Sequence, residues 1–109
     1  MNTALKILKK YWNHNSFREP QDKIINAVLE NNNTIVLLPT GGGKSICFQI
    51  PALVKDGICI VVSPLIALMQ DQVDSLNNKG IKATTIASGT SQDDLITLFD
   101  NIRFGNYKF

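Results

Sequence analysis

Neither sign of charge dominates this chain of 109 residues: eleven lysines and arginines against nine aspartates and glutamates leave a net charge of +2. That balance neither demands nor excludes a polyanionic partner, so net charge alone assigns no binding class. Cysteine is scarce. The two present, Cys47 and Cys59, both sit in apolar segments where a small buried thiol is the ordinary occupant, and no disulfide framework is implied. Prolines number only four, and charged residues make up 18% against 44% hydrophobic, which excludes an intrinsically disordered chain. No apolar run approaches the ~18 residues of a membrane span, and the stretch from Met1 to Lys6 lacks the apolar core of a secretion signal. The expectation is a soluble chain in a reducing, intracellular setting, cytoplasmic or, in a eukaryote, nuclear, with no membrane partner. The sequon Asn32-Asn33-Thr34 then carries no meaning. Internal repeats and low-complexity linkers are absent too, and the length allows one domain or part of one.

What is present is a regular alternation of periodicities. Leu5, Leu8 and Trp12 share a helical stripe over residues 3–12, with Lys6, Lys9 and Lys10 mostly on the other side. A second helix is predicted from Glu19 to Glu30, with Pro20 in its first turn and Ile24, Ile25, Val28 and Leu29 inward, ended by the asparagine tract 31–33. Two apolar, non-alternating runs, 34–38 and 58–62, read as strands buried on both faces of a sheet, 81–87 as a third strand, and Tyr107-Lys108-Phe109 as the opening of a fourth. Between them lie helical patterns over 44–53, which Pro51 should end or kink, over 65–78 with Gly80 as stop signal, and over 91–103 with Ser91 as cap. Strands alternating with helices through short connections predict the α/β class: a parallel sheet with right-handed βαβ crossovers, preceded by a helical segment.

The run Pro39-Thr40-Gly41-Gly42-Gly43-Lys44-Ser45 stands between the first of these strands and the third helix. Consecutive glycines let the backbone turn sharply and point successive N–H groups into one concavity, where an anion sits without Cβ atoms in the way. Lys44 then supplies a point charge for the β/γ-phosphates, and the Ser45 hydroxyl a ligand for Mg²⁺ held with the nucleotide. Leu38 occupies the place where the strict phosphate-loop pattern has its first glycine, a departure that points away from nucleotide kinases and towards helicase-like motors.

Three segments together carry a family resemblance. Phe17-Arg18 and Gln21 precede Ile24-Ile25; the loop continues as Ile46-Cys47-Phe48-Gln49-Ile50-Pro51-Ala52-Leu53; and Val61-Val62-Ser63-Pro64-Leu65-Ile66-Ala67-Leu68-Met69-Gln70-Asp71-Gln72-Val73 follows. In order and spacing these closely resemble the RecQ DNA helicases of superfamily 2, and the likeness covers nearly the whole chain. It implies an ATP-dependent DNA helicase working 3′ to 5′ in DNA repair and recombination, with ATP and Mg²⁺ as its cofactors, single-stranded or duplex DNA as partner, and no small-molecule substrate beyond ATP. It also implies a partial RecA-like phosphate-loop NTPase domain over residues 34–109, with residues 1–33 as a helical prelude that recognises adenine.

Residue by residue, the resemblance places Thr40, Gly41, Gly42, Gly43, Lys44 and Ser45 around the phosphates, with Lys44 and Ser45 in the catalytic set. Gln21 reads adenine; its amide has one acceptor and two donors, enough for the amino group and a ring nitrogen of the base. His14 stands where the family stacks an aromatic ring on the base, and Arg18 lies near the phosphates or bridges to the motor's interior, unless it is a surface arginine. Ser63, Pro64, Leu65 and Gln72 face a DNA strand; for Asp71 and Gln72 a solvated helix face is an equal alternative. Ser88 matches a weaker motif in which Ala87 replaces the usual asparagine. Asp93, Asp94 and Asp100 do not stand in for the acidic pair that holds Mg²⁺ and orients water in such motors, so this stretch alone is expected to be inactive as a motor. Two rivals remain on the sequence: an RNA helicase of the DEAD-box type, and a nucleotide-binding module that never hydrolyses ATP.

Overall fold

The computed structural model describes residues 2–38, 43–86 and 90–109. Five helices are present: α1 (Asn2–Trp12), α2 (Gln21–Leu29), α3 (Lys44–Val54), α4 (Ile66–Asn78) and α5 (Gln92–Phe104). The chain divides into two compact units, Met1–Gly57 and Ile58–Phe109.

In the first unit α3 packs against both α1 and α2. The pattern of apolar residues explains the arrangement. Ala4 and Leu8 of α1, Ile25 of α2 and Ile50 of α3 form a buried cluster, with Leu5, Ile7, Trp12, Phe17, Leu29, Ile46 and Val54 packed around it. α2 starts at Gln21, with Pro20 as the flanking residue, whose carbonyl accepts from Ile24 N–H at 3.1 Å. Its C-terminus is closed by Asn31 in the left-handed region (φ 66°). Asn32 N–H donates to Ala27 O and Asn31 N–H to Val28 O, the paired bonds that satisfy a helix's last carbonyls. Pro51 does not end α3, which runs on to Val54 with Lys55 N–H donating to Pro51 O at 3.0 Å. The ring is almost fully buried, so packing offsets the lost backbone bond.

The second unit holds α4 and α5. Gly80 (φ 84°) closes α4 in the same way: Ile81 N–H donates to Leu76 O, and Gly80 N–H to Asn77 O. Leu76 and Ile81, the two residues that this motif brings into apolar contact, are both buried. Asn77 then pins the outgoing chain, its amide donating to Ala83 O (3.2 Å) and accepting from Ala83 N–H (3.1 Å). Asn77→Ala leaves both backbone groups of a buried residue without partners, and a loss of about 1–3 kcal/mol is expected in chemical denaturation. Ser91 caps α5 by accepting from Asp94 N–H at 3.2 Å, with Asp93 and Asp94 at the positive end of the helix dipole.

The predicted α/β sheet is not found. Among the described residues the regular structure is entirely helical, with no strand. Residues 34–38 form no regular structure, with Ile35 93% and Leu37 92% exposed while Val36 and Leu38 are half-buried, and Ile60 and Val62 in the second run are 84% and 90% exposed. A strand inside a parallel sheet has its backbone paired on both sides and helices over both faces. Among the described residues, Cys59 N–H to Lys108 O (2.9 Å), Lys108 N–H to Lys82 O (2.9 Å) and Thr84 N–H to Phe109 O (3.2 Å) join these runs, together with a longer Phe109 N–H to Lys82 O contact. Those bonds fall short of a ladder. The β-branched runs carry the local preference for extended backbone, but that preference supplies neither the pairing nor the cover.

Candidate nucleotide site

Gly43 organises the site in the first unit. It precedes α3 in the left-handed conformation, φ 77° and ψ 37°, which L-residues with a Cβ rarely adopt. Its carbonyl accepts from the Gln21 amide nitrogen at 3.2 Å and from the Cys47 thiol at 3.6 Å. Gln21 comes from the first turn of α2, and its side chain reaches Gly43. A Cβ built on Gly43 would collide with Gln21 Nε2 and lie 3.6 Å from an Arg18 guanidinium nitrogen. Close approach therefore requires glycine at 43 for space as well as for backbone angle.

The other end of the Gln21 amide is held too. Its Oε1 accepts from Arg18 N–H at 2.9 Å, while Gln21 N–H donates to Arg18 O at 2.7 Å, so the turn before α2 and the side chain at its start lock each other. Gln21 is only 3% exposed. A buried amide with both ends bonded is well satisfied, and among the described residues each end uses one of its two sites, which leaves a second N–H and a second lone pair. Among the described residues no buried side-chain nitrogen or oxygen lacks a partner.

From Gly43 the chain enters α3 directly. Lys44 is its first residue and is exposed; Ser45, half-buried, is in the first turn. The leading N–H groups of a helix have no acceptor within the helix, and the aligned peptide dipoles put partial positive charge there. Lys44 adds a full charge, and no acidic residue in the first turn of α3 opposes it. An exposed ammonium, a hydroxyl and free helix N–H groups make a locally cationic surface suited to phosphate. Pro39, Thr40, Gly41 and Gly42 lie outside the described residues. His14 is exposed in the segment between α1 and α2.

Cys47 was legible only as a buried thiol, and its bond to Gly43 O gives it a further task. Its four-residue spacing from Gly43 is the signal that places a helical side chain over the preceding carbonyl. Burial raises the Cys47 thiol above its ordinary pKa, partly countered by its backbone hydrogen bond. Cys59, in the second unit, is likewise raised by burial, with the charge of Lys108 pulling the other way. Both thiols stay protonated at neutral pH, and neither is activated as a nucleophile.

The second unit carries the residues expected at DNA. Ser63 Oγ accepts from Leu65 N–H at 3.2 Å, shaping the turn that leads into α4. Pro64 and Leu65 are exposed, Gln72 is half-buried on α4, and Asp71 beside it is exposed. Ala87 and Ser88 lie outside the described residues. Asp93 and Asp94 sit in the first turn of α5 and Asp100 further along it, all exposed. Among the described residues no cluster of His, Cys, Asp and Glu could hold a metal ion by itself.

Residues 18–104 match the family model described as DEAD/DEAH box helicase. The chain belongs to the DEAD/DEAH box helicase family. Among its relatives in that family is an ATP-dependent DNA helicase RecQ of Bacillus subtilis, 45% identical over 109 residues, which covers 99% of this chain and 18% of that protein. The ATP-dependent DNA helicase RecQ of Haemophilus influenzae is 50% identical over 86 residues, covering 79% of this chain and 14% of that protein. The ATP-dependent helicase SGS1 of Saccharomyces cerevisiae is 53% identical over 81 residues, covering 70% of this chain and 6% of that protein. The resemblance to RecQ helicases read from the motifs therefore holds along nearly the whole chain, while the chain spans less than a fifth of the length of these relatives. No helix among the described residues is long and apolar enough to cross a membrane.

Proposed function

We propose that this chain grips ATP within an ATP-dependent DNA helicase that moves 3′ to 5′ along one strand in repair or recombination, in the cytoplasm or the nucleus. The observation that carries the reading is the left-handed Gly43 at the start of α3, braced from below by Gln21 and followed by an exposed Lys44. In this reading Lys44 neutralises the β- and γ-phosphates, and Thr40, Gly41, Gly42 and Gly43 wrap them with backbone N–H groups. Residues 1–33 carry base recognition, and residues 34–109 the phosphate loop and strand contacts. His14 stacks on adenine, and the unused donor and acceptor of Gln21 face its edge. Arg18 lies by the phosphates. Ser63, Pro64, Leu65 and Gln72 meet the DNA backbone.

The donor set fits Mg²⁺ carried in with the nucleotide: a Ser45 hydroxyl in the first turn of α3, beside phosphate oxygens, is a hard oxygen ligand of the kind that ion takes. Bound there, the ion offsets phosphate charge. The chain's own residues hold and orient the triphosphate; none of those placed at the site is a carboxylate able to orient the attacking water. The 109-residue chain is therefore expected to bind nucleotide weakly and to unwind nothing.

Lys44→Ala tests the reading in the full-length helicase. DNA-stimulated ATP hydrolysis is expected to fall by two orders of magnitude or more, on the scale of losing one positioned charge at a phosphoryl group, ~3 kcal/mol. Hydrolysis unchanged by the substitution, or stimulated by RNA and not by DNA, contradicts it.

A further inference from the structure

The lysines of α1 are the feature that the nucleotide site leaves unexplained. Lys6, Lys9 and Lys10 are all exposed, and no acidic residue occurs anywhere in α1. Of the net charge of +2, these three contribute +3, so the remainder of the chain is net negative by one. The whole positive excess lies on one helix.

Their spacing, i, i+3 and i+4, puts them side by side, on a stripe roughly 100° wide at ~100° per residue. Ala4 and Leu8, buried at 1% exposure each, lie on the opposite side. Asn2 and Thr3, both exposed, extend the stripe by one turn with uncharged hydrogen-bonding groups. An ion pair joins Lys23 of α2 to Glu19 just before that helix and involves no residue of α1. Lys10 rests over the Tyr11 ring at 4.9 Å, which orders the ammonium without neutralising it. Like charges at these spacings destabilise a helix by a few tenths of a kcal/mol per pair. A polyanion laid along the stripe removes that repulsion and releases its own counterions.

We infer that the outer face of α1 is a nucleic-acid contact, binding the phosphate backbone of a single strand through Lys6, Lys9 and Lys10. The choice of nucleic acid among polyanions rests on the helicase reading above. An anionic membrane is the poorer match, because surface helices bind lipid through a free apolar face, and here that face is spent on Ile25 and Ile50 in the core.

The test is fluorescence anisotropy of a labelled 20-nucleotide poly-dT with the 109-residue chain, across 50 to 200 mM salt, for wild type and K6Q/K9Q/K10Q. A control triple, K23Q/K55Q/K79Q, changes net charge equally elsewhere, and circular dichroism checks folding. The α1 triple is expected to lower the slope of log affinity against log salt by about 2, at ~0.7 per lost phosphate contact, with affinity down about tenfold or more at low salt, while the control changes little. Equal losses in both triples, no binding by the wild type at 50 mM salt, or binding to phosphatidylglycerol vesicles in place of DNA each overturn the inference. Fluorescent ATP is titrated in parallel. Absence of nucleotide binding by the wild type counts against the helicase reading and leaves the α1 result to stand or fall on its own slope.

Discussion

Gly43→Ala is expected to lose nucleotide binding and to destabilise the first unit together. Two costs combine. The alanine must hold a left-handed backbone, at about 1–2 kcal/mol, and its methyl group displaces the Gln21 amide that sits against Gly43. Pushing that amide away leaves a buried donor and acceptor unpaired, a further ~1–3 kcal/mol. Thermal unfolding followed by circular dichroism should show a midpoint lower by ten degrees or more, at ~4–8 °C per kcal/mol for a domain of this size. A double variant separates the two costs. Adding Gln21→Ala removes the collision and keeps the backbone strain, so Gly43→Ala should cost less in the Gln21→Ala background than in the wild type. Equal costs in both backgrounds would show that the two residues do not touch.

Ile25→Ala is expected to be as damaging, by another route. Ile25 is fully buried at the centre of the cluster in which Ala4, Leu8 and Ile50 meet from α1 and α3. Deleting three heavy atoms there leaves a cavity that the surrounding helices fill only in part, at about 2–5 kcal/mol. Four residues make up that buried cluster, and the partly buried residues around it, Leu5, Leu29 and Ile46 among them, pack against it, so a cavity there loosens α1 and α2 on α3. Urea denaturation should show a markedly lower midpoint, and the loss should reach the nucleotide site, because Gln21 and Ile25 share one face of α2 at a spacing of one turn. Ile25→Val, which keeps most of the volume, should cost only ~0.5–1.5 kcal/mol. Similar losses for the two substitutions would mean that the site tolerates cavities and that the core lies elsewhere.

The helices were legible in the sequence because their signals are local. Leu5, Leu8 and Trp12 recur at helical spacing, Asn31 and Gly80 stop the chain at the positions where a left-handed residue is needed, and Ser91 caps as its position suggests. The predicted sheet is an error of the same local reasoning: 34–38, 58–62 and 81–87 have the composition of strands, but pairing depends on residues far apart in sequence, and no strand forms among the described residues. Pro51 does not end α3: the local penalty is real, but its ring is buried and the helix runs on to Val54. For the site, the expectation of phosphate rests on the residue types of the loop. The brace beneath it did not show, since the bond between Gln21 and Gly43 crosses twenty-two positions and no spacing rule connects them.

That brace makes the start of α3 the centre of the functional account, and backbone amides report on it directly. In ¹⁵N-labelled protein titrated with ATP and Mg²⁺, the amide signals of Gly43, Lys44 and Ser45, and the side-chain amide of Gln21, are expected to shift together and saturate at one affinity, with Lys44→Ala abolishing the response. Saturable nucleotide binding that leaves those four signals unmoved, or that persists unchanged in Lys44→Ala, contradicts a phosphate site at the start of α3.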